Sequence, residues 1–250
     1  RSKSSVPTMS TRPVTAGPDF APPAVTVDRR QDGSVILRSP QSLGVYPANL
    51  ACLLFHWATT TPERTFLAER HLDNGWRTLS YAGAASAASA IAQALIDRGF
   101  DQSRTVMALS GNGIDHALLM LGSFLAGVPF CPVSPAYSLV STDYGRLEQI
   151  VRRIEPALLF VDSFEAFRPA LEALELLELK RGAELVCSSG LSHPPDGVAG
   201  TPFSELLATV PTAQGRRRAE SVSATDVAKI LFTSGSTAQP KGVVNTYRML

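Results

Sequence analysis

One run of small, hydroxyl-bearing and basic residues carries the side chains best suited to hold a phosphorylated ligand. Residues 233–242 read TSGSTAQPKG. Small residues let the backbone approach a ligand closely, and consecutive N–H groups in such a turn form a concavity that binds anions. The hydroxyls of Thr233, Ser234, Ser236 and Thr237 can donate to phosphate oxygens or hold a water bound to Mg²⁺, and Lys241 adds a mobile positive charge. A polyphosphate is the ligand that uses all of these groups.

This run differs from a Walker A loop. That pattern needs glycine where Pro240 stands and serine or threonine where Gly242 stands. The alternative interpretation is a connector rich in serine and glycine, without a ligand. The position of the run, directly after a strongly apolar segment that ends at Phe232, and its closure by Pro-Lys-Gly favour the phosphate site.

Short apolar segments alternate with segments of helical periodicity along most of the chain. Ala84, Ala88, Ile91 and Leu95 fall on one face of a predicted helix, which Gly99 is placed to end. The predicted strands cover residues 105–109, 128–133, 158–161, 184–187 and 227–232. This alternation predicts an α/β fold with largely parallel sheets flanked by helices. Such sheets bind ligands outside the carboxyl ends of their strands, so the loop after Phe232 is expected at the ligand edge.

The remaining composition excludes several classes of function. A net charge of +1 gives no general attraction to nucleic acid or to an anionic membrane. The most apolar stretch, residues 117–133, contains two glycines and two prolines and is too short to be a membrane span. The four histidines have no spacing suited to a metal. The three cysteines are interpreted as buried thiols in a reducing, cytoplasmic compartment.

The two ends of the periodic region set the predicted domain organisation. Residues 1–45 are interpreted as a disordered leader and lead-in, and residues 46–250 as one domain. Residues 188–225 are expected to be a looser connection. The three arginines 216–218 within it are interpreted as a solvated run, with contact to nucleic acid as the alternative.

Residues 233–242 resemble the signature phosphate loop of the adenylate-forming superfamily, which includes acyl- and aryl-CoA synthetases, luciferases and the adenylation domains of peptide synthetases. The usual form is T-S-G-[ST]-T-G-x-P-K-G, and Ala238 replaces a glycine. Residues 79–81 and 125–133 resemble further motifs upstream, in the expected order. Residues 57–70, 134–139 and 245–250 look most like relatives of feruloyl-CoA synthetase. The likeness covers about residues 50–250.

The resemblance implies a two-step reaction in which a carboxylic acid, ATP with Mg²⁺, and then CoA are consumed. An acyl-adenylate and pyrophosphate form first, and the CoA thiol then displaces AMP. The acid is expected to be aromatic or hydroxycinnamic, such as ferulic acid. The residues that would cradle the β- and γ-phosphates are Thr233, Ser234, Gly235, Ser236, Thr237, Lys241 and Gly242. Tyr247 is a candidate for the acid pocket, with an ordinary packed helix-face tyrosine as the alternative.

The resemblance also implies that residues 46–250 are the N-terminal part of an AMP-binding domain. The later motifs, including the catalytic lysine of a small C-terminal domain, are expected beyond Leu250, so the 250 residues alone are expected to be inactive. Two other functions stay open. One is an adenylation domain that loads a carrier protein instead of CoA, and the other is a non-catalytic nucleotide-binding fragment.

Overall fold

A computed structural model describes residues 24–42, 44–47, 49–70, 75–174, 182–191, 200–233 and 240–250. These residues form two compact units, which divide between Tyr46 and Pro47. In the first unit, strand β1 (Thr26–Arg29) pairs antiparallel with β2 (Val35–Arg38). Gly33 lies in the turn between them at a φ of 83°, a conformation that glycine adopts without strain.

The second unit is built on a seven-stranded sheet, which confirms the predicted α/β class. Its order is β11-β10-β6-β5-β7-β8-β9, and every neighbouring pair is parallel except β10 and β11. The strands are β5 (Val106–Leu109), β6 (Phe130–Val133), β7 (Leu158–Val161), β8 (Glu184–Cys187), β9 (Gly200–Pro202), β10 (Val227–Thr233) and β11 (Lys241–Thr246). A separate antiparallel pair consists of β3 (Thr65–Arg70) and β4 (Trp76–Ser80).

Helices cover both faces of the sheet. They are α1 (Ala51–Thr60), α2 (Tyr81–Asp97), α3 (Ile114–Ala126), α4 (Gly145–Ile154), α5 (Phe164–Leu174), α6 (Phe203–Ala208) and α7 (Ala213–Ser221), with a π-helix at Ala136–Val140 and a 3₁₀ turn at Tyr247–Met249. Within the described ranges, no helix combines the length and the apolar character needed to cross a lipid bilayer.

The central strands divide the core into two layers, because alternate side chains point to opposite faces. Val106 and Ala108 of β5 join the cluster that contains α2 and α3. Met107 and Leu109 of the same strand join the cluster that contains α4 and α5. All four side chains are fully buried, as expected for a parallel strand covered on both faces.

Helix α2 lies against α3 over its small side chains, and a glycine follows each helix, at Gly99 as the sequence predicts. The side chain of Ser80 accepts a hydrogen bond from the Gly83 N–H and caps the start of α2. Gly99 and Gly127 follow the two helices at φ values of 74° and 67°, the left-handed region in which glycine ends a helix.

Two expectations from the sequence are wrong. Residues 188–225 are not a loose connection, because the described part contains β9, α6 and α7. Helix α6 buries Phe203 and Leu206 against the core, and the polar α7 is held by tertiary contacts. The thiol of Cys52 is exposed, whereas Cys131 and Cys187 are buried as expected. Cys52 lies in the first turn of α1, a helix with only two buried residues.

Candidate phosphate-binding site

The predicted phosphate loop joins two antiparallel strands. Thr233 is the last residue of β10, Lys241 is the first residue of β11, and the two are paired across the hairpin. The intervening Ser234, Gly235, Ser236, Thr237 and Ala238 lie outside the described residues. The structure therefore gives the two ends of the loop, which the strand pairing holds next to each other.

This hairpin opens at the carboxyl edge of the parallel strands. Because β10, β6, β5 and β7 run in the same direction, Thr233 lies at the edge that also carries Ser134, Ser110 and Asp162. Ligands of open α/β sheets bind at this edge. The side chains of Thr233 and Lys241 are exposed there, and Lys241 makes no ion pair with the residues described. Both remain available to a ligand.

Gly242 has a packing role in the hairpin. It is paired with Phe232, and a side chain added at Gly242 would lie 3.3 Å from Cζ of that ring and 3.5 Å from Cγ2 of Ile230. The absence of a Cβ lets the ring cover the backbone of β11. Gly242 therefore lets Phe232 pack across the hairpin next to the two ends of the loop.

A half-buried histidine and a buried serine lie together at the same edge. His116 lies in the first turn of α3 and makes two contacts there. Its Nδ1 lies 2.8 Å from Oγ of Ser110, and its ring meets that of Phe130 edge-on at 5.3 Å. Burial, and then the charge of Lys229, lowers the pKa of His116, with Asp162 acting in the opposite direction. The imidazole is therefore held neutral near pH 7.

A second contact joins the turns that follow β5 and β7. The backbone N–H of Gly111 donates to Oδ2 of Asp162 at 2.8 Å. Sequence reasoning did not single out Asp162. The signal that could have found it is its position, directly after a fully buried strand, as Ser110 directly follows β5. In the described part of the chain, no three His, Cys, Asp or Glu side chains converge as a metal site requires.

Tyr247 lies in the core in this structure. Its side chain is 3% exposed, its hydroxyl donates to the carbonyl oxygen of Phe124 at 3.0 Å, and the two rings meet edge-on. Burial raises the pKa of its hydroxyl above the usual value. These contacts are those of the packed tyrosine considered as the alternative, and the role in an acid pocket stays a prediction.

Comparison with known proteins identifies the family. The model of the AMP-binding enzyme family matches residues 54–250. The chain therefore belongs to the AMP-binding enzyme family.

Individual similarities agree with this membership. The chain is 28% identical over 67% of its length to the nonribosomal peptide synthetase ivoA of Emericella nidulans. It is 31% identical over 73% of its length to the syringomycin synthase SyrB1 of Pseudomonas syringae pv. syringae. The matches span 8% and 24% of those two proteins.

The acyl-CoA synthetase of Brucella canis matches in structure with a TM-score of 0.60 and 17% identity, over 80% of this chain and 33% of that one. At 17% identity, the match shows a similar fold and nothing further. The seven-stranded sheet and its flanking helices thus have the fold of the matched part of that synthetase.

Proposed function

We propose that the protein containing this chain activates a carboxylic acid by transferring the adenylyl group of ATP to it. The observation that carries the proposal is the hairpin that pairs Thr233 with Lys241 at the carboxyl edge of the sheet. It brings an exposed hydroxyl and an exposed ammonium group to the two ends of a loop with the composition of a phosphate site.

The residues present at the two ends of the loop fit the phosphates of a nucleoside triphosphate. Antiparallel pairing fixes the distance between the two ends of the loop, so ordering them around a ligand costs little additional entropy. Lys241 can form charge-assisted hydrogen bonds with phosphate oxygens, and Thr233 can donate its hydroxyl hydrogen. Mg²⁺, which enters with ATP, neutralises phosphate charge when it is bound.

The reaction needs positioning and neutralisation of charge more than a nucleophile of the protein. A carboxylate oxygen of the acid forms a bond to the α-phosphorus of ATP, and the bond from that phosphorus to the bridging oxygen of the β-phosphate breaks. Pyrophosphate leaves with the electron pair. The loop contributes by holding the β- and γ-phosphates, on which negative charge increases as pyrophosphate departs.

Two thiols are candidates for accepting the activated acyl group. The resemblance of residues 57–70, 134–139 and 245–250 to feruloyl-CoA synthetases supports an aromatic or hydroxycinnamic acid and the thiol of CoA. A second candidate is the thiol of a carrier protein. It is favoured by the similarity to proteins named as a nonribosomal peptide synthetase and a syringomycin synthase.

The test measures the products formed by the complete protein from ATP and ferulate. Adenylyl transfer releases pyrophosphate and, once a thiol accepts the acyl group, AMP. Release of ADP and inorganic phosphate, or no dependence on any carboxylic acid in a panel of aromatic, aliphatic and amino acids, would contradict the proposal. Adding CoA and a phosphopantetheinylated carrier protein separately then identifies the acceptor, by which thiol becomes acylated.

A further inference from the structure

A cavity of about 330 Å³ lies among four helices on the α2–α3 side of the sheet. Its apolar lining includes Phe55 of α1, Ala92 of α2 and Leu125 of α3, and its fourth wall is α7. Ala92 and Leu125 are buried, whereas Phe55 is 40% exposed. The cavity is thus an open apolar pocket at the lower end of the size range of small-molecule sites.

The wall formed by α7 is fixed from inside the protein. The side-chain oxygen of the buried Gln93 accepts hydrogen bonds from both the N–H and the hydroxyl of Thr212, at 3.0 and 2.8 Å. A side chain at Gly215 would lie 2.9 Å from that same oxygen, so glycine is what lets α7 approach α2. The pocket is therefore largely formed before any ligand enters.

Two opposite charges line the exposed part of the pocket. Arg216 and Glu220 lie four residues apart, on one face of α7. Such a pair commonly forms an ion pair along the helix, but none joins these two side chains in the part of the chain that is described. A guanidinium and a carboxylate thus lie beside an apolar surface, with hydrogen-bonding capacity left for a ligand.

We propose that this pocket binds a small zwitterion with an apolar body, of which an α-amino acid with a large apolar side chain is the type. The carboxylate of the ligand pairs with Arg216 and its ammonium group with Glu220. The apolar side chain lies against Phe55, Ala92 and Leu125. The described residues that line the pocket include none from β10 or β11, the strands that flank the predicted phosphate loop.

Cys52 provides a reporter for this pocket. Its thiol lines the cavity and is exposed, whereas burial raises the pKa of Cys131 and Cys187 to about 12. Because the thiolate is the nucleophile, iodoacetamide should alkylate the folded protein at Cys52 first. A ligand in the pocket should slow this reaction, and mass spectrometry of the modified peptide measures the rate.

The probe is L-phenylalanine, added to the complete protein without ATP. We expect saturable protection of Cys52. 3-Phenylpropionate and 2-phenylethylamine each lack one of the two charges. Each should bind at least about tenfold more weakly than phenylalanine, because one charge-assisted contact is lost. Equal protection by all three compounds would show that only the apolar surface binds, and would overturn the assignment of the two charges. No protection by phenylalanine would overturn the site.

Substitutions separate this pocket from any amino acid site linked to adenylation. Arg216→Gln and Glu220→Gln should each raise the phenylalanine concentration needed to protect Cys52 by about tenfold or more, while Arg217→Gln, an exposed neighbour that does not line the cavity, should leave it unchanged. Melting curves check that the variants are folded. If calorimetry detects phenylalanine binding that Arg216→Gln leaves unaltered, the amino acid binds elsewhere and the proposal fails, whatever the result for pyrophosphate release.

Discussion

Tyr247 and Phe124 are joined by a hydrogen bond of 3.0 Å from the phenolic hydroxyl to the backbone carbonyl. Phe124 lies in the last turn of α3, and its carbonyl oxygen also accepts the N–H of Gly127, the residue that ends the helix, at 3.3 Å. The same oxygen also accepts from Nδ2 of Asn49 at 3.1 Å. One carbonyl thus connects the end of α3 to Asn49, two residues before α1, and to Tyr247, which follows the hairpin of the predicted phosphate loop.

Tyr247→Phe should lower the free energy of unfolding by about 1 kcal/mol, the net value of one hydrogen bond. The loss is small because Asn49 still satisfies the carbonyl of Phe124. Tyr247→Ala should cost about 3–5 kcal/mol, because it leaves a cavity in the core. Denaturant unfolding measures both. If Tyr247 acts only in packing, Tyr247→Phe leaves the KM for the acid unchanged, and a large rise in KM would instead support its predicted place in the acid pocket.

Lys241→Ala should reduce kcat/KM for ATP by about ten- to a hundred-fold in the complete protein, since a charge-assisted contact with phosphate contributes about 1.5–3 kcal/mol. The KM for the acid should change little. Steady-state assays with each substrate varied in turn provide the measurement, with Arg217→Ala as the control for loss of an exposed positive charge. A raised KM for the acid with unchanged ATP parameters would contradict the assignment of Lys241.

Gly122→Ala should destabilise the protein by about 1–3 kcal/mol, the usual cost of overpacking a core. The added Cβ would lie 2.4 Å from Cγ2 and 2.7 Å from Cβ of Ile91, so α2 and α3 must separate. Gly145→Ala is the matched control, because nothing lies within 4 Å of its added Cβ. Thermal melting should show a lower Tm for the first variant only. Equal Tm values would mean that α2 and α3 can separate around Gly122 and Ile91 without loss of stability.

The neutral His116 should make stability depend on pH. In the unfolded chain, His116 takes up a proton near pH 6.5, whereas burial and Lys229 lower its pKa in the folded state. Below about pH 6.5 the unfolded state therefore binds more protons, and the free energy of unfolding falls as the pH falls. Above that pH neither state is protonated at His116, and this contribution to the pH dependence vanishes.

His116→Gln, which keeps a hydrogen-bonding partner for Ser110, should remove this component of the pH dependence. Unfolding of both proteins at pH 5 to 8 tests the expectation, with His56→Gln as the control at an exposed histidine. Parallel pH profiles for the wild type and His116→Gln would show that the pKa of the half-buried His116 is not lowered on folding.

Local patterns were sufficient to predict much of the fold. The apolar segments that became β5, β7 and β8 are short and continuous, and the glycines at 99 and 127 end their helices where periodicity ends. The polar residues of α7 gave no such signal. Helix formation there depends on the capping of α7 by Thr212 and on Gln93, which is 119 residues away from Thr212 in sequence. A short stretch of sequence does not contain both residues of that contact.

The sequence by itself determined the composition of the predicted phosphate loop, its place after an apolar strand and the class of the fold, because these depend on residues close together in the chain. Only the tertiary structure decided the antiparallel pairing of Thr233 with Lys241, the hydrogen bond between Ser110 and His116, and the burial of Tyr247 under α3. The tertiary structure also decided that Cys52 is exposed and lines a pocket formed by four helices. These features depend on strand register and helix packing, which bring together residues that no local pattern relates.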